Sequence, residues 1–456
     1  MRVLVVGSGG REHALVWKIR QSRLAKEIFC APGNAGIAEL AQCVNLEPAD
    51  IPGLLKFARD HRIDFTVVGP EAPLVLGIVD EFQKEGLKIF GPSKQAARLE
   101  GSKVFAKQFM KRHKIPTGAF EVADSPLRAR PFCRVLREMA SPAVIKADGL
   151  AGGKGVLIGF TMEETEEILQ QVFEKKIFKE AGRQVVIEEY LRGKEASILA
   201  ISDGSRFILL EASQDHKRAL EHDCGPNTGG MGAYSPTPFV SPELMKEIAR
   251  RIVGPTIRGM REEGCPFKGV LYIGLMITKE GPFVLEYNVR FGDPEAQAVL
   301  PRLKSDLLRV MLRSARGLLW WPYLRWDLRW CVCVVMGSQG YPEAYETGKE
   351  IKGLDLVTEK KDALVFHAGT RKSDGRILSS GGRVLGVTAL GEEIKETIKN
   401  TYEAVDKIHF ENRFFRRDIG SKAIEELARL EKLKSSQLLL RENLFTPYHG
   451  HGKPRL

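Results

Sequence analysis

The chain has 456 residues, 43% of them apolar and 8% aromatic, which excludes global disorder and, at roughly 100–200 residues per domain, predicts about three domains. No stretch approaches the roughly 20 uninterrupted apolar residues that span a bilayer. MRVLVVG runs straight into a strand with no basic leader, so a cytoplasmic protein without membrane contact is expected. The net charge of +11 favours anionic ligands, but no basic tract interleaved with aromatics marks a nucleic-acid module.

Strand and helix alternate over the first hundred residues. RVLVVG reads as a strand, residues 11–21 as an amphipathic helix, and EIFCAPG, DFTVVGP and LKIFGP as further apolar runs ending in Gly or Pro. This alternation predicts a parallel α/β sheet whose ligand-facing loops follow the strand ends. From Gly101, GSKVFAKQFMKRHKIPTG predicts one basic helix stopped before Pro116. PAVIKADGLAGGKGVLIG reads as strand, glycine-rich loop and strand, and VVIEEYLRGKEASILAISDG again mostly as strand. SQDHKRALEHDCGPNTGGMGAYSP is polar, glycine-rich and aperiodic, and its length points to a functional loop. A Trp-rich helix is expected around residues 317–330. A third unit then begins at CVCVVMGSQGYP and runs through VFHAGT and GGRVLGVTAL to a helix near residues 394–408. The tail from about Glu425 starts helical and ends LFTPYHGHGKPRL, which reads as disordered, His449 and His451 included. Cys30, Cys43, Cys133, Cys224, Cys265, Cys331 and Cys333 form an odd set without CxxC spacing, so neither a disulfide framework nor a zinc site is expected. Cys331 and Cys333 share one face of an apolar strand, as buried free thiols would.

Gly152-Gly153-Lys154-Gly155 lies between two strands. Glycines let backbone N–H groups approach phosphate oxygens, and the lysine adds a mobile cation. On its own such a loop is equally a plain hairpin turn, and it is not the Walker pattern, which needs GK[ST] opening a helix. Its surroundings add weight: Lys146 projects from VIK into the same neighbourhood, Glu188 ends QVVIE, and Glu195 follows in GKE. Glu286 and Asn288 end PFVLEYN, where period-two spacing puts both oxygen donors on one strand face, suited to a hard cation such as Mg²⁺.

In this order the motifs resemble the ATP-grasp superfamily and, within it, the phosphoribosylamine–glycine ligase family, also called glycinamide ribonucleotide synthetases. The resemblance runs from residue 1 to about 428, through VVGSGGREHAL, APGNAGI, VVGPEAPLV, IFGPSKQAARLEGSK, VIKADGLAGGKGV, SQDHKR, DCGPNTGGMGAYSP, EYNVRFGDPEAQ, FHAGT and GGRVLGVTALG. It implies a multidomain α/β and α+β fold. Residues 1–100 would be an N-terminal parallel α/β substrate domain, 101–326 an ATP-grasp domain with a mobile lid at about 120–188, 327–428 a small C-terminal α+β domain, and 429–456 a tail. The implied reaction takes ATP, glycine and 5-phosphoribosylamine to ADP, phosphate and glycinamide ribonucleotide through a glycyl phosphate, with Mg²⁺ or Mn²⁺, in a monomer. Lys103 and Lys146 would hold ATP phosphates beneath the Gly152–Gly155 loop. Glu188 and Glu189 would line the adenine slot, Glu195 would take the ribose hydroxyls, and Glu286 and Asn288 would ligate the metal.

For the acceptor side, Asp215, His216 and Lys217 form a polar run suited to glycine and the incoming amine. Arg290 and Asp293 suit the carboxylate and ammonium of glycine, the guanidinium being a bidentate donor. Gly10, Arg11 and Glu12, and Asn34 and Gly36, follow strand ends where such sheets bind ligands, and Glu71 suits the sugar hydroxyls. His367, Thr370 and Arg371, with Arg383 after two glycines, place small residues and guanidinium forks where a sugar phosphate could be gripped. One departure is that GVLYIGLMI, the strand before Glu-x-Asn, carries no carboxylate, so the metal site has fewer protein charges than in many relatives. The tail also extends beyond the usual family end. A nicotinamide-dependent oxidoreductase is disfavoured because Glu12 stands where GxGxxG needs its third glycine. A basic nucleic-acid-binding protein would explain the charge but not the Lys, glycine-loop and Glu-x-Asn series. A related ligase with another amine acceptor is opposed by DHKR and RFGDPE.

Overall fold

The computed structural model describes residues 1–149, 155–320, 323–358 and 362–444. The first unit is a five-stranded parallel sheet in the order β3-β2-β1-β4-β5, made of β1 (Arg2–Gly7), β2 (Glu27–Pro32), β3 (Gln42–Cys43), β4 (Phe65–Val68) and β5 (Ile89–Phe90). Val3, Leu4, Val5 and Val6 have no exposed surface, as befits a parallel strand covered on both faces. The helix Gly10–Arg20 starts where β1 ends, and Glu12 Oε2 accepts a hydrogen bond from its N-cap Gly9 N–H at 2.6 Å. Glu12 fits there because its neighbours lack side chains. A Cβ on Gly69 would lie 2.0 Å from Glu12 Oε1, and one on Gly7, whose φ is +126°, 2.5 Å from its Cγ.

Two sheets form the middle unit. β6 (Phe120–Ala123), β7 (Ala143–Ala147), β8 (Val156–Gly159) and β9 (Val185–Glu189) make an antiparallel sheet in the order β6-β9-β7-β8. The helices Pro126–Glu138 and Met162–Phe173 cover it, and Leu136, Ile145, Leu169 and Ile187 belong to a core of its own. The second sheet, in the order β11-β10-β16-β17, comprises β10 (Lys194–Asp203), β11 (Phe207–Leu209), β16 (Lys268–Thr278) and β17 (Gly281–Asn288). It shares its core with the first unit: Leu4 and Val6 cluster with Ile198, Leu271 and Val284, and Val3 and Val5 with Leu199 and Ile201. The β6–β9 sheet thus has a core of its own, whereas the other two sheets are packed into one block.

The segment after β11 leaves that block. β12 (Gln214–Asp215) and β15 (Gly232–Ser235) flank a hairpin of β13 (Arg218–Leu220) and β14 (Cys224–Asn227), and both join the third unit. The third sheet runs β12-β15-β18-β22-β19, with β18 (Trp330–Ser338), β19 (Ala363–His367) and β22 (Arg383–Gly391), while β20 (Thr370–Ser373) and β21 (Arg376–Ser379) form a side hairpin and β23 (Arg413–Phe414) pairs with β18. The helices Ile394–Val405 and Ser421–Leu444 follow. The Trp-rich helix expected at 317–330 is not formed. The helix Leu307–Ala315 stops at Gly317, which is left-handed at φ +72°, and Trp330 already opens β18. Just past that glycine, Leu319 N–H donates to Asp203 Oδ2 at 3.0 Å. All seven cysteines are free, with Cys331 and Cys333 buried in β18. Among the described residues no helix is long and apolar enough to cross a membrane.

Candidate active site

A cleft between the β6–β9 sheet and β17 is lined by Glu100, Lys103, Lys107, Lys146 and Glu286. Lys146, on β7, donates to Leu285 O at 3.1 Å and pairs with Glu188. Lys107, one turn after Lys103 on the helix Lys103–Arg112, pairs with the same Glu188 and donates to Thr117 Oγ1 at 2.7 Å. Burial alone would raise the Glu188 carboxyl, yet Lys146 and then Lys107 hold it below the usual carboxylate range. Burial lowers Lys107 to about 8, with Glu188 pulling the other way. Glu189 turns to the opposite face, where Oε1 accepts from Ala119 N–H at 2.7 Å. Of the glycine loop, Gly152, Gly153 and Lys154 lie outside the described residues, and Gly155 returns the chain with its carbonyl accepting from Ala147 N–H at 2.9 Å.

Glu286 and Asn288 share a face of β17, opposite Gly274 and Tyr272 of β16. Lys217 joins them to Glu195, its Nζ 3.2 Å from Glu195 Oε2 and 3.7 Å from Glu286 Oε1. Burial pushes the Glu286 carboxyl up, but Lys217, Lys103 and Lys146 outweigh it and bring it down to about 2, so Glu286 is an anion. Asp215 lies on the same side of its segment as Lys217. Burial raises it to about 8; Lys217 opposes that shift, and Glu295, Glu195 and Glu286 reinforce it. His216, between them, faces the other way. It is 1% exposed, and burial followed by Lys422 and Arg416 lowers it to about 3. The structure therefore does not bring His216 together with Asp215 and Lys217, because successive side chains of an extended segment alternate in direction.

The raised Asp215 has a measurable consequence. Its carboxyl is ionised in the unfolded chain above about pH 4 but holds its proton in the fold until about pH 8. Stability is thus lost as pH rises through that window. Asp215→Asn removes this dependence, so the melting temperature of the variant minus that of the wild type should climb from pH 5 to pH 8 and then level off. A difference that stays constant with pH would show that Asp215 is not held protonated.

Beyond Asn288 lies a charged junction of all three units. Arg290 lies between carboxylates, with Nε 3.2 Å from Glu71 Oε2 and Nη2 3.1 Å from Glu100 Oε1. Its Nη2 also donates to Asn288 Oδ1 at 3.3 Å. Arg11 pairs with Glu12 at 2.5 Å and stands 3.9 Å from Glu71. Asp293 accepts from Gln297 Nε2 at 2.7 Å and faces Arg383 Nη2 at 3.2 Å. Arg383 is committed there: Nη1 also donates to the carbonyls of Gly229 at 2.8 Å and Asp293 at 2.7 Å. Asn34 spends its amide on Ser8 O and His367 O and its Oδ1 on the Gly36 and Ile37 N–H groups. Gly36 and Gly10 are close-approach positions, where a Cβ would lie 2.5 Å from the His13 and His367 rings and from Gln297 Nε2 respectively. Thr370 Oγ1 meets His367 Nδ1 at 3.0 Å, whereas Arg371 points out to solvent.

Several residues that build this junction were not singled out from the sequence. Glu100 accepts from Val289 N–H at 2.7 Å, and Glu295 Oε1 accepts from Tyr272 Oη at 2.9 Å and Ser197 Oγ at 3.2 Å. His13 Nδ1 accepts from His367 N–H at 2.7 Å. Glu100 and Glu295 stand inside the strings RLEGSK and DPEAQ; their burial, at 7% and 3% exposed, is the sign of function that the sequence does not display.

The N domain, ATP-grasp (A) domain and C domain of phosphoribosylglycinamide synthetase match residues 1–100, 101–296 and 331–422. The chain is 50% identical over 421 residues to the phosphoribosylamine–glycine ligase of Caldanaerobacter subterraneus subsp. tengcongensis, covering 92% of this chain and 100% of that protein. It is 49% identical over 429 residues to the ligase of the same name from Escherichia coli O6:H1, covering 93% and 99%. Among solved structures, phosphoribosylamine–glycine ligase from Thermotoga maritima superposes with a TM-score of 0.78 at 37% identity, covering 92% of this chain and 100% of that one. Biotin carboxylase from Campylobacter jejuni, at 14% identity and a TM-score of 0.72, shares the fold.

Proposed function

Because the chain belongs to the phosphoribosylglycinamide synthetase family, we propose that the cleft running from Lys103 and Lys146 through Lys217 to Arg290 and Asp293 is where it ligates glycine to 5-phosphoribosylamine. The activity is that of an ATP-dependent carboxylate–amine ligase of purine biosynthesis. First, a glycine carboxylate oxygen attacks the γ-phosphorus of ATP, the bond to the β–γ bridging oxygen breaks and ADP departs. Then the amine nitrogen attacks the glycyl carbonyl, phosphate leaves with the oxygen that glycine contributed, and nitrogen sheds a proton.

Lys103 and Lys146 neutralise the ATP phosphates, and Lys217, between Glu195 and Glu286, faces the group in transit. Glu195 receives the ribose hydroxyls, and Glu188 and Glu189 shape the hinge side of the base slot. Arg290 receives the glycine carboxylate in place of Glu71, while Asp293, fixed by Gln297 and Arg383, meets the ammonium. Asp215, which holds its proton in the fold up to about pH 8, donates a hydrogen bond to the reacting group, and the departing phosphate takes the proton that nitrogen sheds. The excess of carboxylates over guanidinium groups at the junction suits an amine co-substrate, and the sugar phosphate lies toward His367, Thr370 and the backbone at Gly381 and Gly382. The β6–β9 sheet, with its separate core, closes over the acyl phosphate and keeps water from it.

A divalent cation fits at Glu286 and Asn288. The carboxylate is held ionised, the amide oxygen lies on the same strand face, and both are hard donors. Gly274 opposite Glu286 brings no further charge, so ATP oxygens and water would complete the shell of Mg²⁺ or Mn²⁺. When bound, the ion supplies charge neutralisation at the transferring phosphoryl group.

The observation that carries this reading is Lys217, which spans the nucleotide carboxylates and the segment bearing Asp215. ADP release measured with each substrate omitted in turn tests it. Turnover should need ATP, glycine and phosphoribosylamine together, and equal ADP release without glycine would contradict it.

A further inference from the structure

Arg416 is 2% exposed and is among the largest side chains of the protein with essentially no surface. A buried guanidinium needs its donors matched, and four hydrogen bonds match this one, two to its own segment and two to the hairpin after Lys217. Nε and Nη2 grip both oxygens of Asp418 at 2.8 and 2.7 Å. Nη1 reaches into the hairpin after Lys217, donating to Arg218 O at 3.0 Å and Asp223 Oδ1 at 3.1 Å. The surrounding bonds repeat the same link. Lys422 Nζ lies 2.6 Å from Asp223 Oδ2, His222 N–H donates to Asp418 Oδ2 at 2.9 Å, and Arg417 N–H donates to Glu221 Oε1 at 3.1 Å.

The other leg of the loop is held by the third unit too. β15 pairs with β18, and Gly229 N–H donates to Tyr341 Oη at 3.0 Å. The Lys217 carbonyl accepts from Thr228 N–H at 2.7 Å and Thr228 Oγ1 at 2.8 Å, so its peptide is fixed between Thr228 and the residue that Arg416 holds. Asp215 and Lys217 thus face the nucleotide sheet while hanging from the C-terminal sheet.

We propose that Arg416 is a positioning residue for the ligation, fixing the Arg218–Asp223 turn so that the Lys217 ammonium stands between Glu195 and Glu286. This rests on Lys217 facing the transferring group as assigned above. Arg416 touches no substrate; it acts through the Arg218 carbonyl and Asp223. An error of about 1 Å in a charge aimed at a transition state costs up to about 100-fold in rate, whereas nucleotide affinity, set mainly by Lys103, Lys146 and Glu286, is spared.

The test compares Arg416→Lys, Asp223→Asn and Lys217→Met in the full-length protein. Arg416→Lys keeps the charge but loses the fork. Asp223→Asn is a milder probe: the residue is half-exposed, sits at φ +54°, which asparagine tolerates, and pairs, among the described residues, with Arg416 and Lys422. Arg416→Lys should lower kcat about 10-fold or more and Asp223→Asn about 3-fold, with KM for ATP and directly titrated ATP affinity within about 2-fold of wild type. Variants with lowered melting temperature but wild-type kcat, or with KM for ATP raised in proportion to the loss, would reduce Arg416 to a structural residue and overturn the proposal. Lys217→Met separates this from the underlying reading. If it retains wild-type kcat, the assignment of Lys217 is wrong. If it abolishes turnover while Arg416→Lys does not alter it, only the positioning role fails.

Discussion

Glu286→Gln is expected to lower kcat/KM for ATP by about 100- to 1,000-fold, the largest single loss in the nucleotide half of the site. The substitution keeps the size of the side chain and its place on β17 but removes a charge that Lys217, Lys103 and Lys146 hold in ionised form. Three cations are then left facing ATP phosphates without their anionic counterweight, and a metal ion loses its one carboxylate on this strand. Asn288→Ala removes a neutral oxygen and frees Arg290 Nη2, so its loss should be smaller and partly restored by raising Mg²⁺. Initial rates over a matrix of ATP and Mg²⁺ concentrations check this. Wild-type turnover of both variants at low Mg²⁺ would remove β17 from the metal site.

Arg290→Met is expected to cost about 3–5 kcal/mol of stability as well as activity, because it strips buried Glu100 of the cation 3.1 Å away and leaves Glu71 to Arg11 at 3.9 Å. Glu100 is 7% exposed, and burial already pushes its carboxyl above the usual range with Arg290 pulling against it. Arg290→Lys restores one charge but not the planar fork that serves Glu71, Glu100 and Asn288 together, so it should recover part of the stability and little of the turnover. Urea unfolding alongside kcat/KM for glycine separates the two effects. Unchanged stability of Arg290→Met would mean that the carboxylates are protonated or have other partners.

The parts of this site that were legible in the sequence are those written in short periods. Glu286 and Asn288 share a face because strand side chains repeat every second residue, and the same rule, applied to Asp215-His216-Lys217, separates His216 from its neighbours. The first sheet was legible for a similar reason: continuous Val and Leu runs broken by Gly or Pro mark strands covered on both faces. What stayed hidden depends on contacts far apart in the chain. Nothing near Arg383 announces that its fork closes on Asp293 and Gly229 rather than standing free for a phosphate. Nothing near Glu100 announces Val289, 189 residues away. The strands β12 and β15 belong to a sheet whose next strand begins almost a hundred residues later, so the loop bearing Asp215 and Lys217 looks like an insertion in the nucleotide domain when it hangs from the C-terminal one. The expected helix at 317–330 failed for a local reason that was in view: Gly317 and Pro322 break the pattern that the Trp and Leu residues suggest.

The central claim is that glycine is activated as an acyl phosphate before the amine attacks. Turnover of glycine labelled with ¹⁸O in both carboxylate oxygens, in the presence of ATP and phosphoribosylamine, tests it directly by mass spectrometry of the released phosphate. The account predicts one ¹⁸O atom per phosphate, carried over when the acyl–oxygen bond breaks, and one retained in the amide product. Phosphate free of ¹⁸O, with the displaced oxygen found in water or in the nucleotide, would contradict it.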